Sequence, residues 1–367
     1  MATPKSDIVI AEILRCTLWS EETRPISDLL GALSEEDWIA VHQLAVRQGV
    51  VAVVMDGVHR SGLEIPRAIK MRFISSTDKI EKGYTKKRQI AKLLAKTYAQ
   101  AGIRMMILKG LGLAELYPTP HHRPSSDIDI YLCGDQQRGD ELLSQQYGVE
   151  INRGKHHHTV FHVKDTLIEN HYDFIEQHSR ASAGALEHQL KEWYATEQPI
   201  EAKIDDVSYL TPAPNMNALF LTLHSGAHFA AENISMRHLL DWALFLKAYG
   251  NKVDWPRILQ LGDKFGFRPF LDTINTVCVE YLGMDRSLAP SLTDDKAVVD
   301  RMWCDLLEYK LSRIPENFLR GWVYRIKRRY RNRWKQRLVY CDNGIGALIR
   351  SAVTHLLPPS IIRKLQQ

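Results

Sequence analysis

Apolar residues recur at helical spacing through the first hundred positions of the chain. One such stretch opens with Ser34 and Asp37, whose three-residue separation is that of a capping box. A second, lysine-rich stretch runs from Ile65 to Gly102, and a glycine at that point is typical of a helix end. Residues 1–102 are therefore predicted to form an N-terminal helical region.

The pattern changes to short strands after residue 102. The apolar run from Ile103 to Lys109 predicts one strand, and DIDIYL, which begins at Asp127, alternates polar and apolar residues as a strand does. The runs HHHTVFHV and TLIENHYDF, joined by Lys-Asp, predict a hairpin. A helix over residues 181–195 and one β segment from Ile200 to Leu210 complete this part.

Helical periodicity returns after residue 210 and continues toward the C-terminus. The predicted fold class is α+β, with a small mixed sheet flanked by N-terminal helices and a C-terminal helical bundle. The three predicted regions are residues 1–102, 103–210 and 211–367.

The composition is that of a soluble globular protein, with 45% hydrophobic and 25% charged residues among 367. No apolar run reaches the eighteen or so residues that a spanning helix needs, and the N-terminus lacks the features of a signal peptide. Five scattered cysteines without a CxxC pair argue against disulfides and cysteine zinc sites. These features predict a cytoplasmic location.

The net charge of +5 comes from one segment near the C-terminus. Residues 320–337 hold nine Lys or Arg and no acid, and the rest of the chain has 39 basic against 43 acidic residues. The favoured interpretation is a helix whose arginines face solvent and whose apolar stripe docks on protein, with a nucleic-acid or other polyanion contact and an anionic membrane surface as alternatives. The predicted stripe contains Trp322, Ile326, Tyr330 and Trp334.

Two carboxylates dominate the candidate chemistry. Asp127 and Asp129 project from the same face of their predicted strand, where they repel each other unless a cation lies between them. Oxygen ligands of this kind suit Mg²⁺, and a two-metal site would clamp both the attacking and the leaving oxygen of a phosphoryl displacement. The pair alone also fits a solvent-facing edge strand, but the preceding strand and the turn at Gly110 favour a phosphate site.

A later strand offers Glu169, His171 and Asp173 on one face, with the wet side of a hairpin as the alternative. The histidine run at positions 156–158, together with His162, favours a polar strand face over a metal site, because strand rise separates alternate residues. A contact with nucleotide or acceptor is a more plausible alternative than a metal, because the hairpin would border the site. His224 and His228 are expected to be buried histidines without metal.

These motifs together resemble a known group of enzymes. The series LKG, YP, R and DIDIYL, followed by LIENHYDF, resembles the nucleotidyltransferase superfamily that includes DNA polymerase β, and more narrowly an uncharacterised bacterial nucleotidyltransferase-like family. The specific motifs cover residues 103–174, and a looser likeness extends over LTLHSGAHFAAENISMRHLLDWALFL. Where the superfamily usually has Gly-Ser or Gly-Gly, this chain has Gly110-Leu111.

The resemblance implies a reaction and a set of roles. The reaction is transfer of a nucleoside monophosphate from an NTP to an acceptor hydroxyl on a small molecule, protein or RNA, and the alternative is a non-catalytic nucleotide- or RNA-binding protein. The implied catalytic residues and ligands of Mg²⁺ or Mn²⁺ are Asp127, Asp129 and Glu169, of which Glu169 also helps to deprotonate the acceptor. The implied nucleotide-binding residues are Lys109, Gly110 and Arg123.

Overall fold

A computed structural model describes residues 6–19, 30–62, 64–155, 157–177, 180, 182–308, 323–324, 327–328 and 330–341. Its helices are α1 (Ser6–Trp19), α2 (Glu35–Gln48), α3 (Val51–Arg60), α4 (Arg67–Gln100), α5 (Leu111–Ala114), α6 (Gln136–Tyr147), α7 (Ala183–Thr196), α8 (Pro214–Ala231), α9 (Met236–Tyr249), α10 (Trp255–Phe265), α11 (Arg268–Leu282), α12 (Lys296–Leu307) and α13 (Arg333–Val339). Its strands are β1 (Met106–Ile107), β2 (Asp127–Tyr131), β3 (His158–Val163), β4 (Thr166–His171), β5 (Ile200–Ile204) and β6 (Val207–Thr211).

The described strands form one mixed sheet with the order β3-β4-β2-β1-β6-β5. Strand β2 runs parallel to β4 and antiparallel to β1, while β1 runs parallel to β6. The two flanking pairs, β3–β4 and β5–β6, are antiparallel hairpins. A mixed sheet combined with many helices confirms the predicted α+β class.

One face of the sheet is covered by the second half of α4. Ile128 and Ile130 of β2 and Ile168 of β4 pack in the same buried cluster as Leu94 and Tyr98 of that helix. Because neighbouring strand residues point to opposite faces, Asp127 and Asp129 project away from this core. The hydrophobic alternation of DIDIYL thus fixes which face carries the carboxylates.

Local sequence signals explain several element ends. The capping box between Ser34 and Asp37 is present at the start of α2, as predicted. Gly102, just after α4, has a positive φ of 71° that a glycine adopts without strain. At the β3–β4 turn, Lys164 and Asp165 both have positive φ, as a two-residue hairpin turn of type I′ requires.

Two strands have different bounds in the structure from those that the sequence predicted. The predicted strand from Ile103 to Lys109 pairs only over Met106–Ile107, because the chain then turns at Gly110, whose φ is 61°. The predicted single segment from Ile200 to Leu210 is instead the β5–β6 hairpin, which turns at Asp205, a residue with a φ of 56°.

The described chain divides into two compact units, and neither is one continuous run of sequence. The first comprises the described parts of Met1–Lys82, Ala114–Pro124 and Ser225–Tyr340, and the second those of Gly83–Leu113, Ser125–His224 and Cys341–Gln367. The boundary crosses the middle of α4. None of the helices in the described parts combines the length and the apolar character needed to span a bilayer.

The basic segment, residues 320–337, follows its predicted packing only in part. Trp334 lies edge-on to Phe229, with ring centroids 5.5 Å apart, so its predicted docking is confirmed. Tyr330 is 79% exposed, so its predicted packing is wrong. The reason is a turn at Asn332, just before α13, which breaks the helical spacing between Tyr330 and Trp334. Trp322 and Ile326 lie outside the described residues.

Candidate metal and nucleotide site

Strands β2 and β4 place the acidic residues of the candidate site side by side. In their parallel pairing Asp129 lies opposite Glu169, and Tyr131 lies opposite His171. Because side chains alternate along a strand, Asp127, Asp129, Glu169 and His171 belong to the same face of the sheet. The structure thus brings the three predicted carboxylates to one face and adds a histidine to them.

Asp129 is the buried centre of this group. Its side chain is 0% exposed, and its Oδ1 atom accepts a 2.7 Å hydrogen bond from Nζ of Lys109. Nε2 of His171 lies 3.2 Å from the same oxygen. The other oxygen, Oδ2, is buried and has no hydrogen-bond partner among the described residues. A buried carboxylate oxygen without a partner is unusual and calls for an ion or a water at that position.

The charges of the group strongly affect one another. Burial alone would raise the pKa of Asp129, but the Lys109 cation and the hydrogen bond from His171 hold it well below its usual range. Burial alone would lower the pKa of His171, but the hydrogen bonds to Asp129 and Glu169 raise it above its usual value. Burial and the neighbouring Asp129 charge raise the pKa of Asp127. Three carboxylates thus lie beside the ammonium of Lys109 and the imidazole of His171.

The arrangement fits a divalent cation. Asp129, Glu169 and His171 each offer one ligand atom, and these atoms lie within 4.8 Å of one another. Nδ1 of His171 lies 3.3 Å from the carbonyl oxygen of Asp173, which can accept its N–H and leave Nε2 for the metal. Asp127 shares the face and the electric field of this triplet but is not part of it.

Histidines approach the same centre from the start of β3, where the sequence favoured a polar strand face over a metal site. Nε2 of His158 lies 3.8 Å from Oε1 of Glu169, and His157, His158 and His171 form a second group with metal-ligand spacing. Burial is the main cause that lowers the pKa of His158 to about 4, so it is neutral near pH 7. His162 is exposed, and His156 lies outside the described residues.

The turn after β1 and the long helix contribute the remaining nearby groups. A Cβ at Gly110 would come 3.2 Å from Oγ of Ser125, so both its space and its positive φ favour glycine. Lys87 of α4 was not predicted from the sequence. Burial lowers its pKa, and the charge of Asp127 opposes that shift, which places Lys87 in the field of the site.

Two other residues that the sequence analysis singled out, Arg123 and Asp173, pair with residues outside the group around Asp129. Arg123 belongs to the first unit and is buried, and its guanidinium binds both carboxylate oxygens of Asp241 at 2.8 and 2.7 Å. Tyr117 donates a third hydrogen bond to Asp241. The side chain of Asp173, beyond the end of β4, pairs with Lys191. Long-range pairs of this kind leave no local sequence pattern.

Comparison with known proteins identifies the family. A family described as an uncharacterised nucleotidyltransferase matches residues 34–283, which is more than half of the chain. No curated protein and no solved structure matches the chain. The matched range includes β1, β2 and β4 and every residue of the group around Asp129. The chain therefore belongs to the uncharacterised nucleotidyltransferase family.

Proposed function

We propose that the protein transfers a nucleoside monophosphate from an NTP to an acceptor hydroxyl in a reaction that depends on Mg²⁺ or Mn²⁺. The observation that carries the proposal is the buried Oδ2 atom of Asp129, which has no hydrogen-bond partner in the described parts of the chain and lies within a group of potential metal ligands. Family membership supports nucleotidyl transfer as the reaction class. Asp127, Asp129 and Glu169 are the proposed catalytic residues.

In the proposed reaction the acceptor oxygen forms a bond to the α-phosphorus, the bond to the bridging oxygen breaks, and pyrophosphate leaves. A bound divalent cation would supply charge neutralisation for the phosphate oxygens. Asp129 and Glu169 would hold it, with His171 as a third ligand and Asp127 beside them. Glu169, which is less buried than Asp129, is the proposed acceptor of the hydroxyl proton.

Lys109 and Gly110 are proposed to bind the triphosphate. Lys109 already provides a cation at Asp129, and the glycine turn lets backbone N–H groups approach a phosphate. The predicted phosphate contact of Arg123 remains a prediction. Its bidentate contact with Asp241 supports a structural role for this side chain.

A second candidate function is nucleotide binding without catalysis. The observation that favours it is the Lys109–Asp129 pair, because a lysine there supplies the positive charge that a metal would otherwise bring. The two candidates differ in their dependence on divalent cations. NTP affinity should rise with Mn²⁺ if the site is catalytic and should not change if Lys109 replaces the metal.

Calorimetric titration of the full chain with each NTP, with and without Mn²⁺, tests the choice. Asp127→Asn should abolish the metal-dependent part of the binding, because it removes one of the carboxylates facing the cation. Asp165→Asn is the matched control, since Asp165 is exposed in the β3–β4 turn and Asn tolerates its positive φ. Equal metal dependence in all three proteins would contradict the catalytic proposal.

A further inference from the structure

A second cluster of ionisable side chains lies in the first unit. Asp56 comes from α3, Glu81 from α4, and His121 and His122 from the 3₁₀ turn Pro120–His122. His122 is buried, whereas the side chains of Glu81 and His121 are 42% and 49% exposed. None of these residues belongs to the group around Asp129.

His122 is held between two carboxylates. Its Nδ1 atom lies 2.7 Å from Oδ2 of Asp56, and its Nε2 atom lies 2.9 Å from Oε1 of Glu81. A neutral imidazole has one N–H and can donate to only one of them. The other nitrogen would then face a carboxylate oxygen with its lone pair, which is repulsive. The geometry therefore requires a further positive charge, either a second proton or a metal ion.

His121 distinguishes a metal site from a simple ion pair. Its Nε2 atom lies 3.9 Å from the same Oε1 atom of Glu81, and its ring centroid lies 4.8 Å from that of His122. One ligand atom each from Glu81, His121 and His122 lies within 4.8 Å of the others. A second proton on His122 does not account for another imidazole nitrogen 3.9 Å from that oxygen.

We propose that Glu81, His121 and His122 bind a divalent transition-metal ion of the Zn²⁺ type. Two imidazole nitrogens and one carboxylate oxygen are ligands that zinc takes in proteins. Asp56 would orient His122, because a metal-binding histidine usually donates its other N–H to a carboxylate or carbonyl. Zinc usually has four ligands, so solvent would complete the set on the exposed side.

Such an ion would tie the 3₁₀ turn to α3 and α4 within the first unit. The turn itself has no side-chain cap, and it directly precedes Arg123, whose guanidinium is fixed on Asp241. A metal at His121 and His122 would therefore hold the segment that carries this buried ion pair.

The test is a count of bound ions. Full-length protein stripped with a chelator is titrated with Zn²⁺ against a chromophoric competitor, in parallel with His121→Ala and Glu81→Gln. Each variant is expected to bind one Zn²⁺ fewer than the wild type, and both changes are at half-exposed side chains. His59→Ala removes an exposed histidine of α3 and should match the wild type.

Asp56→Asn should weaken binding without abolishing it, because it keeps the three ligands and loosens only the orientation of His122. The affinity of that one ion should fall by about 10–100-fold, as is typical for groups that orient a ligand. Wild type and His121→Ala that bind the same number of ions with the same affinities would overturn the proposal. His122 would then be an imidazolium between two carboxylates.

Discussion

The ammonium of Lys109 lies 2.7 Å from Oδ1 of Asp129, a carboxylate that is completely buried. Lys109 follows β1 and Asp129 lies in β2, so the site holds its own counter-cation on the same carboxylate that is proposed to bind metal. Asp129 can present its second oxygen, Oδ2, to an incoming ion while Lys109 stays on the first. One carboxylate would thus bind two cations, the ammonium of Lys109 and the proposed metal ion.

Replacing Lys109 by Met should destabilise the protein and make it responsive to metal. Removing one partner of a buried ion pair costs about 3–5 kcal/mol. Mn²⁺ should restore more stability to this variant than it adds to the wild type, because the ion supplies the missing charge at Asp129. Urea unfolding with and without Mn²⁺ measures both effects, and Lys86→Met, at an exposed lysine of α4, is the control. A variant that Mn²⁺ leaves unchanged would argue against a metal at Asp129.

The buried pair of Arg123 and Asp241 should matter more for stability than any exposed pair. Asp241→Asn leaves the guanidinium without its anion and should cost about 3–5 kcal/mol. Glu232→Gln, which breaks the exposed pair with Arg328, should cost about 1 kcal/mol or less. Chemical denaturation compares the two, and similar losses of stability would show that Arg123 finds another partner when Asp241 is neutral.

His238 should make the protein less stable in mild acid. Burial, with a smaller effect of the Arg237 charge, lowers its pKa to about 3, although Asp241 acts in the other direction and the ring of His228 lies nearby. Its Nδ1 atom accepts a hydrogen bond from the backbone N–H of Ser235. As the pH falls below 6.5, the unfolded chain binds a proton there that the folded chain does not, so the free energy of unfolding falls.

His238→Gln should remove this contribution, because a Gln at the same capping-box position can still accept from Ser235. Between pH 7 and pH 5 the wild type should lose about 2 kcal/mol more stability than the variant. Urea unfolding at the two pH values measures the difference. Parallel losses of stability in both proteins would mean that folding does not lower the pKa of His238.

The exposed arginines near the C-terminus should bind polyanions without supporting the fold. Arg331, Arg333 and Arg337 face solvent, so replacing all three by Gln should change the melting temperature little. Each arginine that binds a phosphate of single-stranded RNA adds about 0.7 to the log–log slope of affinity against salt, so the triple variant should show a shallower slope. A fall in transfer to RNA, but not to a small acceptor, would assign the surface to the substrate. Unchanged transfer to both would leave it as a solvated face.

Local patterns predicted the parts of the site that lie on one strand. Alternation in DIDIYL placed Asp127 and Asp129 together, and the Lys-Asp turn predicted the hairpin that carries Glu169. The contact of His171 with Asp129 depends on the parallel register of β2 with β4, which periodicity does not specify. Lys87 was also missed, because its position depends on how α4 packs on the sheet, which local periodicity does not specify either.

Predictions based on helical spacing were confirmed only in part. The capping box at Ser34 follows directly from local spacing, whereas Trp334 docks although the predicted stripe is interrupted. Tyr330 has the correct spacing but is separated from Trp334 by the turn at Asn332. The Arg123–Asp241 pair joins residues 118 positions apart, and such a distance leaves no trace in local periodicity.

The proposed transfer reaction is tested most directly by comparing NTPs labelled at the α- or γ-phosphate. The purified chain is incubated with each labelled NTP, Mn²⁺ and a cell extract, alongside Asp127→Asn. The α-label should appear in an acceptor and the γ-label in pyrophosphate, with neither product formed by the variant. Label from the γ-position in the acceptor, or α-label transferred equally by Asp127→Asn, would contradict nucleotidyl transfer at this site.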